Sequence, residues 1–533
     1  MEDSYPIKAK NYDVCRNGCM MFLKSSTLNK CRYCQAPRFT TRKRQSDGTA
    51  RQQQPCATVK QLSLSDQLAL FIHNKTSRKN LLYRSKHQPF QGQYSDIYDG
   101  NAFNDLKNKG FFTNNLDIAL ALFTDGFTMF QKHQLMIVHV VILNFPPSIR
   151  YQTANMIQLC ICPGPHSVKN LFSFLQPCIQ QLKSLQSSGI CVKADDGERY
   201  FARAHMLLCT GDIPACSKMM FFRGHTFKYG CRICEIAGSP VKINGAKRGM
   251  YFALNKRARP KMRLLGDFLQ GNQDKGLMRK SPFRELNSFR GWSTYGLDCI
   301  HLIGQGISKQ LWTLICGKFG SKGNPFFLKL ATRKQIGESL ANARTTIPST
   351  FSNCTVDISK QSRYFRSIDW IHFIRFIVPT LVAERLNNKA AKTAILALAN
   401  ACNIVFQRTI TKGNLNKLKQ DVKLWNDYLM LQVTTKKISG SIFTITQHYM
   451  THLDHIICEM GCPIYYSAFC QERAIGELKK KIKSRSATGS NAGNIMVGLA
   501  AQRYAERVGF GSSTSIKKQH EKEVLTDSEE NDA

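Results

Sequence analysis

Cys231-Arg-Ile-Cys234 has the spacing of half a metal site. A C-x2-C knuckle supplies two thiolates, and a structural zinc takes four ligands in a tetrahedron. The only H-x3-H in the chain, His448 and His452, lies far downstream. At i, i+4 the two imidazoles would share one helical face. If these four residues close on one zinc ion, the chain must return across most of its second half. A string of independent domains would not permit that. The closure would also bring back Glu472, 20 residues past His452, towards Asp212, 19 residues before Cys231. The plain alternative is a knuckle in a loop and a helix with two solvent-facing histidines.

A second thiol set is local. Cys15 and Cys19, then Cys31 and Cys34, are spaced C-x3-C, eleven residues, C-x2-C. Two knuckles at this separation can surround one zinc, which predicts a small zinc-ribbon-like module over 10–40. The other 14 cysteines, including Cys458 and Cys462, read as core or surface thiols. Twenty Cys in 533 residues, with no apolar run in Met1–Lys10, predict reduced thiols rather than a secreted disulfide framework.

Between the two sets the pattern is α/β. Apolar runs at 116–130, 135–145 and 156–162 predict strands, the last two ended by Pro146-Pro147 and Pro163-Gly164-Pro165. A helical period follows over 168–185, a hairpin-like pair around Asp196-Gly197, and a strand over 205–210. Strands, a helix and further strands predict a mixed sheet. Two acids punctuate it, Asp125 in Thr-Asp-Gly-Phe and Asp212 in Gly-Asp-Ile-Pro-Ala. Each alone reads as turn chemistry. Together with a third acid from a helix they could hold two Mg²⁺ ions about 4 Å apart across a phosphodiester.

Charge selects the partner. The chain carries 75 Lys and Arg against 36 Asp and Glu, a formal charge of +39. Such an excess opposes compaction unless a polyanion neutralises it, so nucleic acid comes first and an anionic membrane surface second. No run of 18 apolar residues exists, which argues against a membrane protein. Basic residues gather at Lys247, Arg248, Lys256, Arg257, Arg259, Lys261 and Arg263, and at Lys479-Lys480-Lys481. These are the candidate phosphate contacts. Glu521–Asp532 holds six acids and one Lys and predicts a solvated, disordered tail.

The organisation expected is therefore a zinc module over 10–40, a basic linker with helices over 41–95 and a first core segment over 96–235. A mostly helical basic insertion follows over 236–445, then C-terminal helices completing the core over 446–510 and an acidic tail over 511–533.

These residues carry a resemblance. Asp13-Val-Cys15, Cys19, Cys31-x-x-Cys34 and Arg38 are followed by Tyr98-Asp-Gly100, Ala119-Leu-Ala-Leu-Phe-Thr-Asp125-Gly126-Phe127 and Asn144-Phe-Pro-Pro147 with Arg150. Pro163-Gly-Pro165, Phe174-Leu175, Asp212-x-Pro-Ala215 and Cys231-x-x-Cys234 complete the series. The chain resembles the Tnp2-type transposases of CACTA (En/Spm) elements, most specifically over 10–235. Beyond that only Asp298-Cys-Ile-His301, His448-x3-His452 and Phe469-Cys-Gln-Glu472-Arg473 match, with Cys299 where the pattern has Pro.

The resemblance implies an RNase H-like core interrupted by a helical insertion, with a DDE triad of Asp125, Asp212 and Glu472 holding Mg²⁺ or Mn²⁺. Glu477 is the rival third acid. The Cys231, Cys234, His448, His452 arrangement is similar to that of Transib-type transposases and the V(D)J recombinase catalytic subunit. It further implies double-stranded DNA as partner, both element ends and target, a homo-oligomeric synaptic complex and a nuclear location. The competing expectations are a relic or domesticated relative that binds DNA without cutting it, and an RNA-binding zinc protein.

Overall fold

The computed structural model describes residues 7–40, 53–130, 133–243, 247–254, 260–320, 322–348 and 356–509. The acidic tail and Lys256, Arg257 and Arg259 lie outside the described residues, and the side chains of Lys247 and Arg248 are not described.

The protein is built on a six-stranded sheet. Its strands are β1 (Ala9–Asp13), β2 (Thr58–Leu62), β3 (Ile118–Thr128), β4 (Gln134–Ile142), β5 (Met156–Cys162) and β6 (Ala204–Thr210). Their order across the sheet is β1-β2-β5-β4-β3-β6. All neighbours are antiparallel except β3 and β6, which run parallel. β3 to β5 are near-continuous apolar runs because both faces are covered. One face, through Leu120, Leu122, Val138, Val140 and Leu159, packs on helices α1 (Leu64–His73) and α2 (Leu171–Ser187). The other, through Ala119, Ala121, Phe123 and Val141, shares a core with the helical region beyond residue 290.

The sequence placed β3 to β6 and α2 within a few residues. It did not anticipate β1 or β2. Ala-Lys-Asn-Tyr-Asp and Thr-Val-Lys-Gln-Leu are polar, and their strand state comes from pairing at the sheet edge rather than from their own pattern. The stretch expected as linker therefore contains a sheet strand. The N-terminal module is also not separate: Lys169 and Asn170 amides donate to the Cys19 carbonyl. Gly18, at φ +75°, sits where a Cβ would come within 2.3 Å of the Pro163 carbonyl oxygen. Only glycine permits that approach.

After β6 comes α3 (Ile213–Met219), then a hairpin of Ser239–Ile243 with Lys247–Tyr251. The helical region includes α4 (Lys389–Val405) and α5 (Lys412–Thr434), and two π-helical stretches, Ile300–Ser308 and Phe373–Val382. The chain ends its described part in α6 (Ile445–Met450), α7 (Leu453–Met460), α8 (Phe469–Lys481) and α9 (Thr488–Val508). Ile475 and Leu478 of α8 and Met496 of α9 pack with Phe127, Leu135 and Ile137 of the sheet. Among the described residues no helix is long and apolar enough to cross a membrane.

Candidate active site and metal-ligand clusters

Asp125 is three residues from the end of β3, opposite Ile137. Asp212 follows β6 by two residues and caps α3, its Oδ1 accepting from the Ala215 amide at 2.6 Å. The parallel register pairs Phe123 with Thr210, so two further residues on each strand bring Asp125 and Asp212 side by side. Between them Gly211 lies so close to β3 that a Cβ would meet the Thr124 carbonyl oxygen at 2.7 Å. Gly-Asp is thus a geometric unit: the glycine lets the strands close, and the aspartate starts the helix.

Glu472 stands in the first turn of α8. Burial raises the Asp125 carboxyl to about 7, and the negative charges of Glu472 and Asp212 add to the shift. The three acids therefore face a common space. They are not drawn tightly together: among the described residues only two Cys/His groups have all ligand atoms within 4.8 Å. Glu477 points elsewhere. Its carboxylate oxygens accept from the Thr153 hydroxyl at 3.3 and 3.4 Å. Five residues along a helix is 500°, about 140° round its axis, which puts the two glutamates on different faces.

Two residues that the sequence reading left without a role complete this centre. Asp298 is buried and His301 mostly so. Asp298 Oδ2 accepts from the His301 amide at 3.0 Å and from His301 Nδ1. His301 Nε2 lies 3.6 Å from Glu472 Oε1. Burial alone would lower the imidazole, but Asp298, then the charges of Asp212 and Glu472, raise it to about 9. The Asp-x-x-His spacing in Asp298-Cys-Ile-His301 was the only signal of it.

The thiol sets do assemble. Cys15, Cys19, Cys31 and Cys34 form one group, Cys231, Cys234, His448 and His452 the other. A tetrahedral zinc with Zn–S of about 2.3 Å and Zn–N of about 2.0–2.1 Å sets its ligand atoms roughly 3.3–3.8 Å apart. In the second group Cys234 Sγ is 3.2 Å from His448 Nε2, Cys231 Sγ 3.7 Å from His452 Nε2, and the two Nε2 atoms 3.1 Å apart. In the first, Cys15 Sγ and Cys34 Sγ are 3.4 Å apart. Amides already point at the sulfurs: Asn17 N to Cys15, Tyr33 N to Cys31, Ile233 and Cys234 N to Cys231, each at 3.3–3.4 Å. Such donors favour thiolates, and both sets fit zinc.

In each set one thiol is made more acidic and at least one other less so. Burial raises Cys15 to about 11, while in exposed Cys34 it is outweighed by the Ala36 amide and Asn17 side chain, and the thiol falls to about 6. In the buried pair Cys231 is held well below the ordinary thiol range against the effect of burial, by the hydrogen bond from Cys234 and by His448 and His452, while the hydrogen bond to Cys231 and burial together raise Cys234.

The histidines depart from expectation in one respect. They do not share a continuous helix: α6 ends at Met450, and His452 caps α7. The break at Thr451 turns both Nε2 atoms to one point. Arg263 is a correction of a different kind. It is 2% exposed, donates to the Cys231 and Tyr229 carbonyls at 2.8 Å and lies over the Phe222 ring. A guanidinium so placed supports the Cys231 knuckle and has no donor left at the surface for a phosphate. Lys261, Lys479, Lys480 and Lys481 are exposed. Lys479 Nζ lies 5.7 Å from the centroid of Phe127, on the strand that carries Asp125.

Other motif residues serve the fold. Arg150 is fully buried and pairs with Asp96 at 2.8 Å. Asp99 accepts from His87 at 2.7 Å.

Fold and site together define a mixed α/β protein with two zinc-type ligand sets and carboxylates grouped at strand ends. Residues 91–280 match the model of the transposase family tnp2. The match includes Asp125, Asp212, Cys231 and Cys234 and excludes Cys15–Cys34, His301, His448, His452 and Glu472. No curated protein matches the chain.

Proposed function

We propose that the chain is a DDE-type cut-and-paste DNA transposase, with Asp125, Asp212 and Glu472 as its catalytic acids. The single observation that carries this is the placing of two aspartates at or just past the ends of adjacent parallel strands, within electrostatic reach of a glutamate from a distant helix. The strand order β5-β4-β3-β6, antiparallel except for the last pair, supports an RNase H-like reading. That is an argument from topology. The donor set fits a divalent cation: the charges of Glu472 and Asp212 act on Asp125, His301 partly offsets them, and Asp125 holds its proton to about 7. Bound Mg²⁺ or Mn²⁺ would activate the attacking oxygen and offset charge on the phosphodiester.

The residues of the chain do the positioning. Asp125 is fixed by β3 and Asp212 by its cap on α3, so neither carboxylate needs to reorganise when DNA arrives. Glu472 closes the third side from the N-terminal turn of α8. The exposed Lys479, Lys480 and Lys481 continue that helix and would follow the DNA backbone; phosphate contacts of this kind set register without reading sequence. Cleavage at element ends would leave a 3′-hydroxyl for in-line attack on target DNA, and the synaptic assembly, double-stranded DNA partners and nuclear location belong to the same proposal.

The test is Mg²⁺-dependent cleavage of duplexes carrying the ends of the element that encodes this chain, wild type against Asp125→Ala. Loss of cleavage with DNA binding retained supports the acid's role. A wild-type chain that binds these duplexes without cutting them would instead be a non-catalytic relative.

A further inference from the structure

We infer that Asp298 and His301 are positioning residues that set the orientation of Glu472 for the divalent cation. This rests on the reading of Glu472 as a metal-binding acid and adds to it what holds that acid in place.

Glu472 is the least constrained of the three acids. Its side chain is half exposed, whereas Asp125 and Asp212 are fixed by a strand and a helix cap. What approaches it is His301 Nε2, at 3.6 Å. The ring cannot turn freely, because its other nitrogen, Nδ1, is engaged by Asp298 Oδ2. Asp298 also reaches the other way: its Oδ1 accepts from the Ala468 amide at 2.8 Å, at the residue that begins α8. One buried carboxylate therefore fixes both the start of the helix carrying Glu472 and the imidazole facing its side chain. The two branches converge on the same carboxylate from backbone and side chain.

His301 is the second residue of the π-helical stretch Ile300–Ser308, and Gly304 within it packs where a Cβ would come within 2.6 Å of the Ser367 carbonyl oxygen. The imidazole thus stands on an element packed against the helical region at Gly304 and tied to the sheet just upstream, where the Gly296 amide donates to the Cys209 carbonyl of β6 at 2.8 Å. Partners that orient a metal-binding side chain in this way commonly change metal affinity about 10–100-fold when removed.

The experiment measures Mn²⁺ binding to the full chain by electron paramagnetic resonance, with zinc content and thermal midpoint as folding controls. His301→Ala should weaken Mn²⁺ binding about 10–100-fold. His301→Gln, which keeps a donor at the ring's far edge, should restore most of the loss. In a Glu472→Gln background His301→Ala should add nothing, since coupled residues are not additive. Asp298→Asn carries the same test if His301→Ala loses zinc. Wild-type Mn²⁺ binding by His301→Ala, alongside weakened binding by Glu472→Gln, would overturn the inference and leave the three-acid reading intact. Weakened DNA binding with unchanged Mn²⁺ binding would make His301 a phosphate contact instead. If neither Asp125→Asn nor Glu472→Gln changes Mn²⁺ binding, the three-acid reading falls and this inference with it.

Discussion

The two thiol clusters use similar chemistry for different purposes. The first joins residues 15 to 34, a loop barely longer than its own knuckles. The second joins residues separated by 214 and 221 positions, from the end of the sheet region to the start of the last helices. Loop-closure entropy grows only slowly with length, so the longer closure costs little more than the shorter one. What differs is the consequence. The short loop shapes one surface module. The long one fixes where α8, and so Glu472, returns to the sheet. In one molecule, then, one cluster builds a part and the other assembles the whole.

That contrast can be broken at either cluster. Cys231→Ser or His448→Ala should lose one zinc equivalent and abolish end cleavage, with the thermal midpoint falling sharply. Structural zinc contributes roughly 10 kcal/mol or more in small zinc domains. Metal analysis, calorimetry and cleavage on one preparation check this; a variant that loses zinc yet cuts normally would detach the clip from Glu472. Cys31→Ser should also lose one zinc, but the damage should be confined to 13–40. There, limited proteolysis should show new cuts while the main unfolding transition moves little. A collapse of the whole chain would make the two clusters equivalent.

A smaller effect sharpens the comparison with the acids. Asp125 and His301 both keep their protons to higher pH in the folded chain than in the unfolded one. The folded state therefore binds more protons between about 4 and 7 for Asp125, and between about 6.5 and 9 for His301. Metal-free stability should fall as pH rises through each window, by a few kcal/mol at most, since one unit of pKa difference is worth about 1.4 kcal/mol. Mn²⁺ affinity should rise over the same lower window and level off near 7, once Asp125 has given up its proton. Denaturant midpoints and Mn²⁺ titrations from pH 5 to 9 measure both trends; flat curves would remove the three acids from a shared field.

Where the sequence was legible, the reason was local. Asp125 and Asp212 sit on apolar runs ended by turn residues, and a thiol spacing is a distance along the chain. Cys231 and His448 could be paired because each lacked ligands that the other supplied. Glu472 over Glu477 was readable in principle, from the angle that five residues subtend on a helix. What could not be read depends on neighbours far away in sequence. β1 and β2 are strands because an edge was there to pair with. Arg263 counted as one more surface cation until Cys231 and Tyr229 offered it buried carbonyls. The stretch at 370–386 has a helical period, yet much of it is π-helical, a change of winding that hydrophobic pattern does not record. Asp298 and His301 were hidden for a similar reason. A three-residue spacing says nothing of a glutamate 171 positions on until α8 is docked.

The break between α6 and α7 has a consequence in time. Synthesis runs at about 5–20 residues per second, so about 10–40 s separate the appearance of Cys234 from that of His448. Through that interval the two thiols wait for imidazoles not yet made. A ribosome that stalls before Thr451 leaves a nascent chain with its sheet strands complete and its knuckle open to oxidation or to a stray metal. The yield of active protein should therefore follow zinc supply and reducing conditions during translation, more than anything done to the purified chain afterwards.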